Sequence, residues 1–207
     1  MGTPLVAKVQ GSRRPTAVPP GRIPGSPTLL WCEEVLRCCM NASTLTVRPA
    51  EQSEIPQLAR VWYEAWRDAH LDHLPAQLIR VRTLESFRDR LEANLAPVRV
   101  VGPLGAPLGL CAIRVDELYQ LFVAAEARGS GAAQALLADG EQRLRAKGVR
   151  RAWLSCAIGN DRAARFYEKC GWRRVGTMVA DLETTEGPFR LKSWRYEKGL
   201  LTPPVQG

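Results

Sequence analysis

Between Thr44 and Tyr196 the chain switches repeatedly between a two-residue and a helical spacing of apolar positions, and each switch marks an element. Thr44–Arg48 alternates as a short strand. Ile55, Leu58, Trp62, Ala65 and Ala69 then recur at helical spacing, with Ser53 placed to cap that helix and Pro56 tolerated in its first turn. After a loop over Leu71–Pro75, a second helix carries Leu84, Phe87, Leu91 and Leu95 on one stripe, and Pro97 closes it. Val98–Val101 and Leu108–Val115 read as strands joined by a Gly/Pro turn, and Glu117–Val123 as a third strand. Residues 131–147 form a helix with Ala133, Leu136, Leu137, Gly140 and Leu144 inward. A strand over 150–158 follows, then a short helix capped by Asn160 or Asp161 and ending at Cys170 and Gly171. Trp172–Ala180 and Arg190–Tyr196 are two last strands. This order predicts an α+β domain: one mostly antiparallel mixed sheet of about seven strands with four helices on both faces.

Composition narrows the class. The 207 residues suit one domain, and 29 basic against 21 acidic residues leave a charge of +8. Residues 1–39 hold five of the basic and two of the acidic ones, so the remainder carries +5, a mild attraction for a polyanionic ligand. That stretch is rich in Pro, Gly and Arg and lacks core periodicity. It reads as a disordered extension, or as sequence upstream of a true start at Met40; residues 199–207 read as a tail. No apolar run approaches the ~18 residues of a membrane span, and no secretory apolar region is present. The six cysteines follow neither a metal nor a disulfide spacing, which points to reduced thiols in a cytoplasmic protein.

The segment with most chemical content is Arg128, Gly129, Ser130, Gly131, Ala132, Ala133, lying between the strand ending at Val123 and the next helix. A helix start offers unpaired N–H groups and the positive end of the dipole, and glycines let an anion approach the backbone. A tight structural turn and a phosphate cradle both explain it. Two other phosphate loops fit poorly. A dinucleotide fingerprint would need a third glycine where Gln134 stands and an acidic residue about 20 positions on. A P-loop would need Gly-Lys-Ser or Gly-Lys-Thr.

The spacing Arg-x-x-Gly-x-Ala from Arg128 to Ala133 resembles the acetyl-CoA signature of the GNAT superfamily of N-acetyltransferases. Asn160, Ala164, Phe166, Tyr167, Gly171 and Trp172 resemble that family's second segment, one strand later, and the element order over about residues 44–198 is similar too. The resemblance implies a GNAT-like fold and transfer of an acetyl group from acetyl-CoA to a primary amine by direct attack in a ternary complex. The alternative is a silent acyl-CoA-binding module. Since only on the order of one lysine-like amine in a thousand is neutral at pH 7, a base, oxyanion donors and an acid for the departing thiolate are required.

The resemblance assigns Tyr167 as that acid, against the simpler reading of a packed aromatic ring. Asn160 is a helix cap, a contact to the pantetheine arm, or both. Glu117, opening the strand before the loop, is the base candidate or merely a turn carboxylate; strand alternation would place it on one face with Tyr119, Leu121 and Val123. Gln120 cannot serve as a base. The main chain of Leu121, Phe122 and Val123 is expected to hold the pantetheine and the acetyl carbonyl. His70 and His73 flank Asp72 without a third metal ligand in view; His70 is a minor base candidate. Arg162, Arg165 and Lys169 share a solvated stripe, from which one could reach a phosphate. The expected partners are a small-molecule or peptide amine and possible homodimer formation, with no metal, nucleic acid or membrane. The charge alone does not make a nucleic-acid module, since the aromatic motif of an RRM is missing.

Overall fold

The computed structural model of the chain describes residues 45–200; the expectations for residues 1–39, for Thr44 and for the tail beyond Leu200 lie outside them. The elements, in order, are β1 (Val47–Pro49), α1 (Ile55–His70), α2 (Ala76–Val81), α3 (Leu84–Ala93), β2 (Val98–Val101), β3 (Gly109–Arg114) and β4 (Glu117–Val123). They continue with α4 (Ala132–Ala146), β5 (Arg151–Ala157), α5 (Asp161–Lys169), β6 (Arg173–Leu182) and β7 (Phe189–Gly199). The seven strands form one mixed sheet ordered β1-β2-β3-β4-β5-β7-β6. Every neighbouring pair is antiparallel except β4 with β5.

Each face of the sheet buries its own core. On one side α4 and α5 press Leu136, Leu144 and Tyr167 onto Cys111, Leu154 and Tyr196. On the other, α1 and α3 press Leu58, Trp62 and Phe87 onto Val100 and Leu110. Gly140 lets α4 lie this close, because a Cβ there would stand 2.9 Å from Leu118 Cδ1 and 3.2 Å from Cys111 Sγ.

Four local details depart from the expected elements. Among the described residues there are five α-helices rather than four, because α2 follows Pro75 and buries only Leu78 and Val81, too few positions to set a period. Ser53 does not cap α1. The buried Glu54 takes that place, accepting from the Glu51 N–H (3.3 Å), the Gly105 N–H (3.0 Å) and both terminal nitrogens of Arg48 (2.6 and 2.7 Å). The hairpin before β4 turns at Val115, whose φ of +54° ends β3 one residue early. β7 runs on to Gly199, and Leu200 is buried, its N–H donating to Arg150 O at 2.9 Å.

Candidate active site

The glycine loop is built by its own short-range bonds. After β4, a 3-10 turn over Ala125–Ala127 leads to Arg128 in extended backbone, and Gly131 caps α4 with φ +90°. The Ser130 hydroxyl donates to Ala127 O at 2.7 Å and accepts from the Ala132 N–H at 3.3 Å, so this exposed serine shapes the turn. A Cβ on Gly131 would meet only Leu45 Cδ1, at 3.9 Å, and one on Gly129 would meet nothing. Glycine is therefore demanded here by conformation and by what lies above the loop, not by crowding within the protein. Among the described residues no hydrogen bond takes up the N–H groups of Gly129, Gly131, Ala133 or Gln134. Those donors, at a helix start, fit the oxygens of a pyrophosphate.

Above this loop opens a cleft of about 500 Å³. Of the residues expected at a cofactor site, Leu121, Phe122, Val123, Arg128, Gly129, Gly131, Ala132, Ala133, Asn160 and Tyr167 line it, and Ser130 does not. Ala65 and Ala69 of α1 form a wall of small side chains, and Ala163 and Phe166 of α5 form another. Arg162, expected on a solvated stripe, lines the cleft as well. It and Arg128 both donate to Asp68 Oδ2, at 2.5 and 2.6 Å. The Arg162 hydrogen bond, with Arg128 beside it, holds the Asp68 carboxyl below its ordinary range. This bridge was illegible in the sequence because its arginines lie 60 and 94 positions from Asp68.

The floor of the cleft is a gap in the sheet. β4 and β5 register only at Glu117 with Trp153, where the Trp153 N–H donates to Asp116 O at 3.2 Å. Beyond that pair the strands separate, leaving the β5-facing edge of Leu121–Val123 without a strand partner. A bulge opposite Ala112 and Ile113 inserts Tyr119 as an extra residue. It overturns the expected alternation: Leu118, Leu121 and Val123 pack toward α4 and α5, whereas Tyr119 and Phe122 pack toward α1 and α3. Glu117 and Tyr119 thus face away from Leu121 and Val123, across the sheet from the glycine loop.

Tyr167 and Asn160 stand at this gap. The Tyr167 ring sits 6.0 Å from Tyr196 and 6.5 Å from Trp172, which fixes it as part of the core. Its hydroxyl opens on the cleft and has no hydrogen-bond partner among the described residues, and burial pushes its pKa far above the ordinary value. Asn160, not Asp161, caps α5 by accepting from the Ala163 N–H at 3.1 Å. Its amide NH₂ has no hydrogen-bond partner among the described residues, and Asn160 lines the gap.

Through the gap lies a second chamber, of about 220 Å³, on the α1–α3 side. Glu117 lines this chamber and not the cleft. Burial raises its carboxyl above the usual range, opposed by Arg114, which lies 3.5 Å from it. His70 lines both the gap and the chamber. Its Nδ1 lies 2.8 Å from Trp66 O, so that nitrogen carries the proton and Nε2 presents a lone pair. Burial pushes His70 down to about 4, so the ring is neutral at physiological pH. His73 packs instead on Gly159, where a Cβ would stand 2.9 Å from its ring. Among the described residues no group of three or more His, Cys, Asp or Glu could hold a metal ion, and no helix is long and apolar enough to cross a membrane.

Comparison with known proteins agrees with this architecture. The sequence profile of the Acetyltransferase (GNAT) family matches residues 56–172, more than half of the chain. No curated protein matches the sequence. Among solved structures, the chain is similar to a GCN5-related N-acetyltransferase from Rhodopseudomonas palustris, with a TM-score of 0.60, 17% identity, and coverage of 76% of this chain and 96% of that one. It is similar to the PaiA N-acetyltransferase of Thermoplasma acidophilum, solved in complex with coenzyme A, with a TM-score of 0.53, 18% identity and coverage of 74% and 98%. It is also similar to yncA from Salmonella typhimurium, solved with its cofactor acetyl-CoA, with a TM-score of 0.53, 15% identity and coverage of 78% and 97%. At such identities these structures speak for the fold, while the profile spans the glycine loop, the strand gap and α5 together: the chain belongs to the GNAT family of acetyltransferases.

Proposed function

We propose that this chain transfers the acetyl group of acetyl-CoA to a primary amine by direct attack within a ternary complex. The observation that carries this reading is the continuity of the cavity. The glycine-loop cleft shares Leu121, Phe122, Asn160 and Tyr167 with the strand gap, and the gap shares His70, Gln120 and Ser155 with the chamber beyond. A cofactor seated on the loop and an acceptor entering from the far side meet at the gap.

Bound acetyl-CoA supplies an activated thioester carbonyl. The loop N–H groups, with Arg128 and Arg162 released from Asp68, hold its phosphates. The free amide of Asn160 and the unpaired strand edge at Leu121–Val123 hold the pantetheine arm and polarise the acetyl carbonyl. His70 Nε2 accepts a hydrogen bond from the incoming amine and orients it. Glu117, a stronger base than a solvated carboxylate because it is buried, takes the amine proton from the chamber side. As the new C–N bond forms and the C–S bond breaks, the Tyr167 hydroxyl donates to the departing sulfur.

Cys156 also lines the gap, which raises the question of an acetyl-cysteine intermediate. Burial pushes its thiol up to about 12, so only about one in 10⁵ is thiolate at pH 7. Direct attack is favoured on that ground. Initial rates of CoA thiol release, with acetyl-CoA and amines of several classes varied together, test the reading. Intersecting double-reciprocal lines are expected; parallel lines would support the cysteine route, and binding without amine-dependent release would leave an acyl-CoA-binding module.

A further inference from the structure

The chamber contains a cation that no described residue pairs with directly. Arg82 stands at the junction of α2 and α3, drawn inward because Leu78 and Val81 of α2 pack into the core. Only 5% of it is exposed, and it lines the acceptor chamber. Among the described residues its guanidinium makes no hydrogen bond, ion pair or ring contact; only its backbone N–H is used, toward Ile79 O at 3.3 Å.

The other two arginines of the chamber are engaged. Arg90 donates to the Tyr119 hydroxyl at 2.9 Å and lies 4.5 Å from the centre of the Trp62 ring. Arg114 lies 4.1 Å over the Tyr119 ring and near Glu117. Both add positive potential and neither neutralises Arg82. Burial, with Arg90 nearby, pushes Arg82 down to about 10, opposed by the Tyr119 hydroxyl and by the exposed Glu183 carboxylate, neither of which pairs with it; it stays charged at physiological pH.

A lone buried guanidinium is costly, because its lost hydration is repaid only by a partner. A planar fork of donors facing a small cavity matches one kind of partner best, a carboxylate held by two parallel hydrogen bonds. The chamber of about 220 Å³ is below the usual range of drug-sized ligand pockets, which points to a small acceptor. Glu117 and His70 line the same chamber as Arg82, so an acceptor held there meets a carboxylate, an imidazole and a guanidinium together. From these observations we propose that the acceptor is a small primary amine carrying a carboxylate, of amino-acid size, and that Arg82 binds that carboxylate and so determines acceptor specificity. This inference rests on the transferase reading above and names its substrate class.

The test uses the full chain and compares CoA thiol release for the common α-amino acids, each paired with its carboxamide, and for O-phosphoethanolamine. The expected result is a kcat/KM about 10²-fold higher for acids than for their amides, the range of a charge-assisted hydrogen-bond pair. Arg82→Gln should raise the acceptor KM about 10²-fold and erase the acid-over-amide preference, with kcat and the acetyl-CoA KM within about threefold of the parent. Arg82→Lys should fall between them, since it keeps the charge and loses the fork. Because the cation has no hydrogen-bond or ion-pair partner among the described residues, Arg82→Gln should melt no lower than the parent; a residue kept for structure would do the opposite.

Equal use of acids and amides by the parent overturns the inference, as does an unchanged preference in a folded Arg82→Gln. A preference for O-phosphoethanolamine over every acid overturns the carboxylate assignment. Calorimetry with N-acetylated amino acids in the presence of CoA reads the same site without turnover. Arg82-dependent binding there would uphold the anion site even if no amine were acetylated, an outcome that would refute the transferase reading alone. No such binding, together with no turnover, overturns both.

Discussion

Replacing Tyr167 by phenylalanine isolates the contribution of one hydroxyl. The ring packs against Phe166, Trp172 and Tyr196 at centroid distances of 5.5, 6.5 and 6.0 Å, and phenylalanine preserves all three contacts. The hydroxyl has no protein partner among the described residues, so its removal strands no buried donor or acceptor. The melting temperature should therefore stay within about 2 °C of the parent. The kinetic effect follows from two acidities. A CoA thiol resembles cysteine at about 8.5, while a tyrosine starts near 10 and burial raises this one further. Complete proton transfer from Tyr167 to the thiolate is then uphill by more than about 2 kcal/mol, at 1.36 kcal/mol per unit. The hydroxyl acts as a hydrogen-bond donor to charge developing on sulfur. A hydrogen bond to a charged partner contributes about 1.5–3 kcal/mol, or roughly 10- to 150-fold in kcat. Since the hydroxyl stays protonated throughout, the deficit should be uniform from pH 6 to 9. Steady-state thiol release by the parent and Tyr167→Phe across that range measures it. A deficit below twofold throughout would reduce Tyr167 to a core aromatic. A loss confined to the acetyl-CoA KM would mean that the hydroxyl positions the cofactor.

Gly131→Glu should place a like charge in the pyrophosphate cradle and force a side chain at φ +90°. Acetyl-CoA affinity should fall by at least about 10²-fold, about 2.7 kcal/mol, with about 1–2 kcal/mol of lost stability; unchanged calorimetric affinity in a folded variant would misplace the cradle. His70 is depressed from 6.5 to about 4, so the unfolded chain binds its proton first and stability is lost as pH falls from 6.5 toward 4. Denaturant titrations should show that His70→Asn lacks up to about 3 kcal/mol of this acid sensitivity, and parallel pH profiles would count against it. Glu54→Gln removes the charge opposite Arg48, held at 2.6 Å with Glu54 fully buried. It should cost about 3–5 kcal/mol in chemical unfolding, and a loss below 1 kcal/mol would show that the pair is dispensable.

The hydrophobic periods, the glycines after β4 and the Asn160–Trp172 segment were legible in the sequence because each is a local pattern: helix stripes, strand alternation, and a helix start with φ-permissive residues. They located the cleft's floor and the small helix that carries Tyr167. α2 escaped because six residues with two buried side chains set no period, and the cap at Glu54 escaped because its partners Arg48 and Gly105 converge only in the fold. The bulge at Tyr119 was equally hidden. A strand's alternation predicts one face until a partner strand absorbs an extra residue, and that residue sent Glu117 across the sheet from where alternation placed it relative to Leu121. Arg162 read as solvated on its own helix, yet Asp68, 94 positions away, turns it toward the cleft. Arg82 read as nothing at all. Its burial, its lack of a partner and its place in the chamber are properties of how α2 and α3 pack around it. Local chemistry decided which residues could cradle a phosphate, whereas the charge and reach of the acceptor chamber came from long-range packing, which brings side chains together without any spacing in the sequence to announce it.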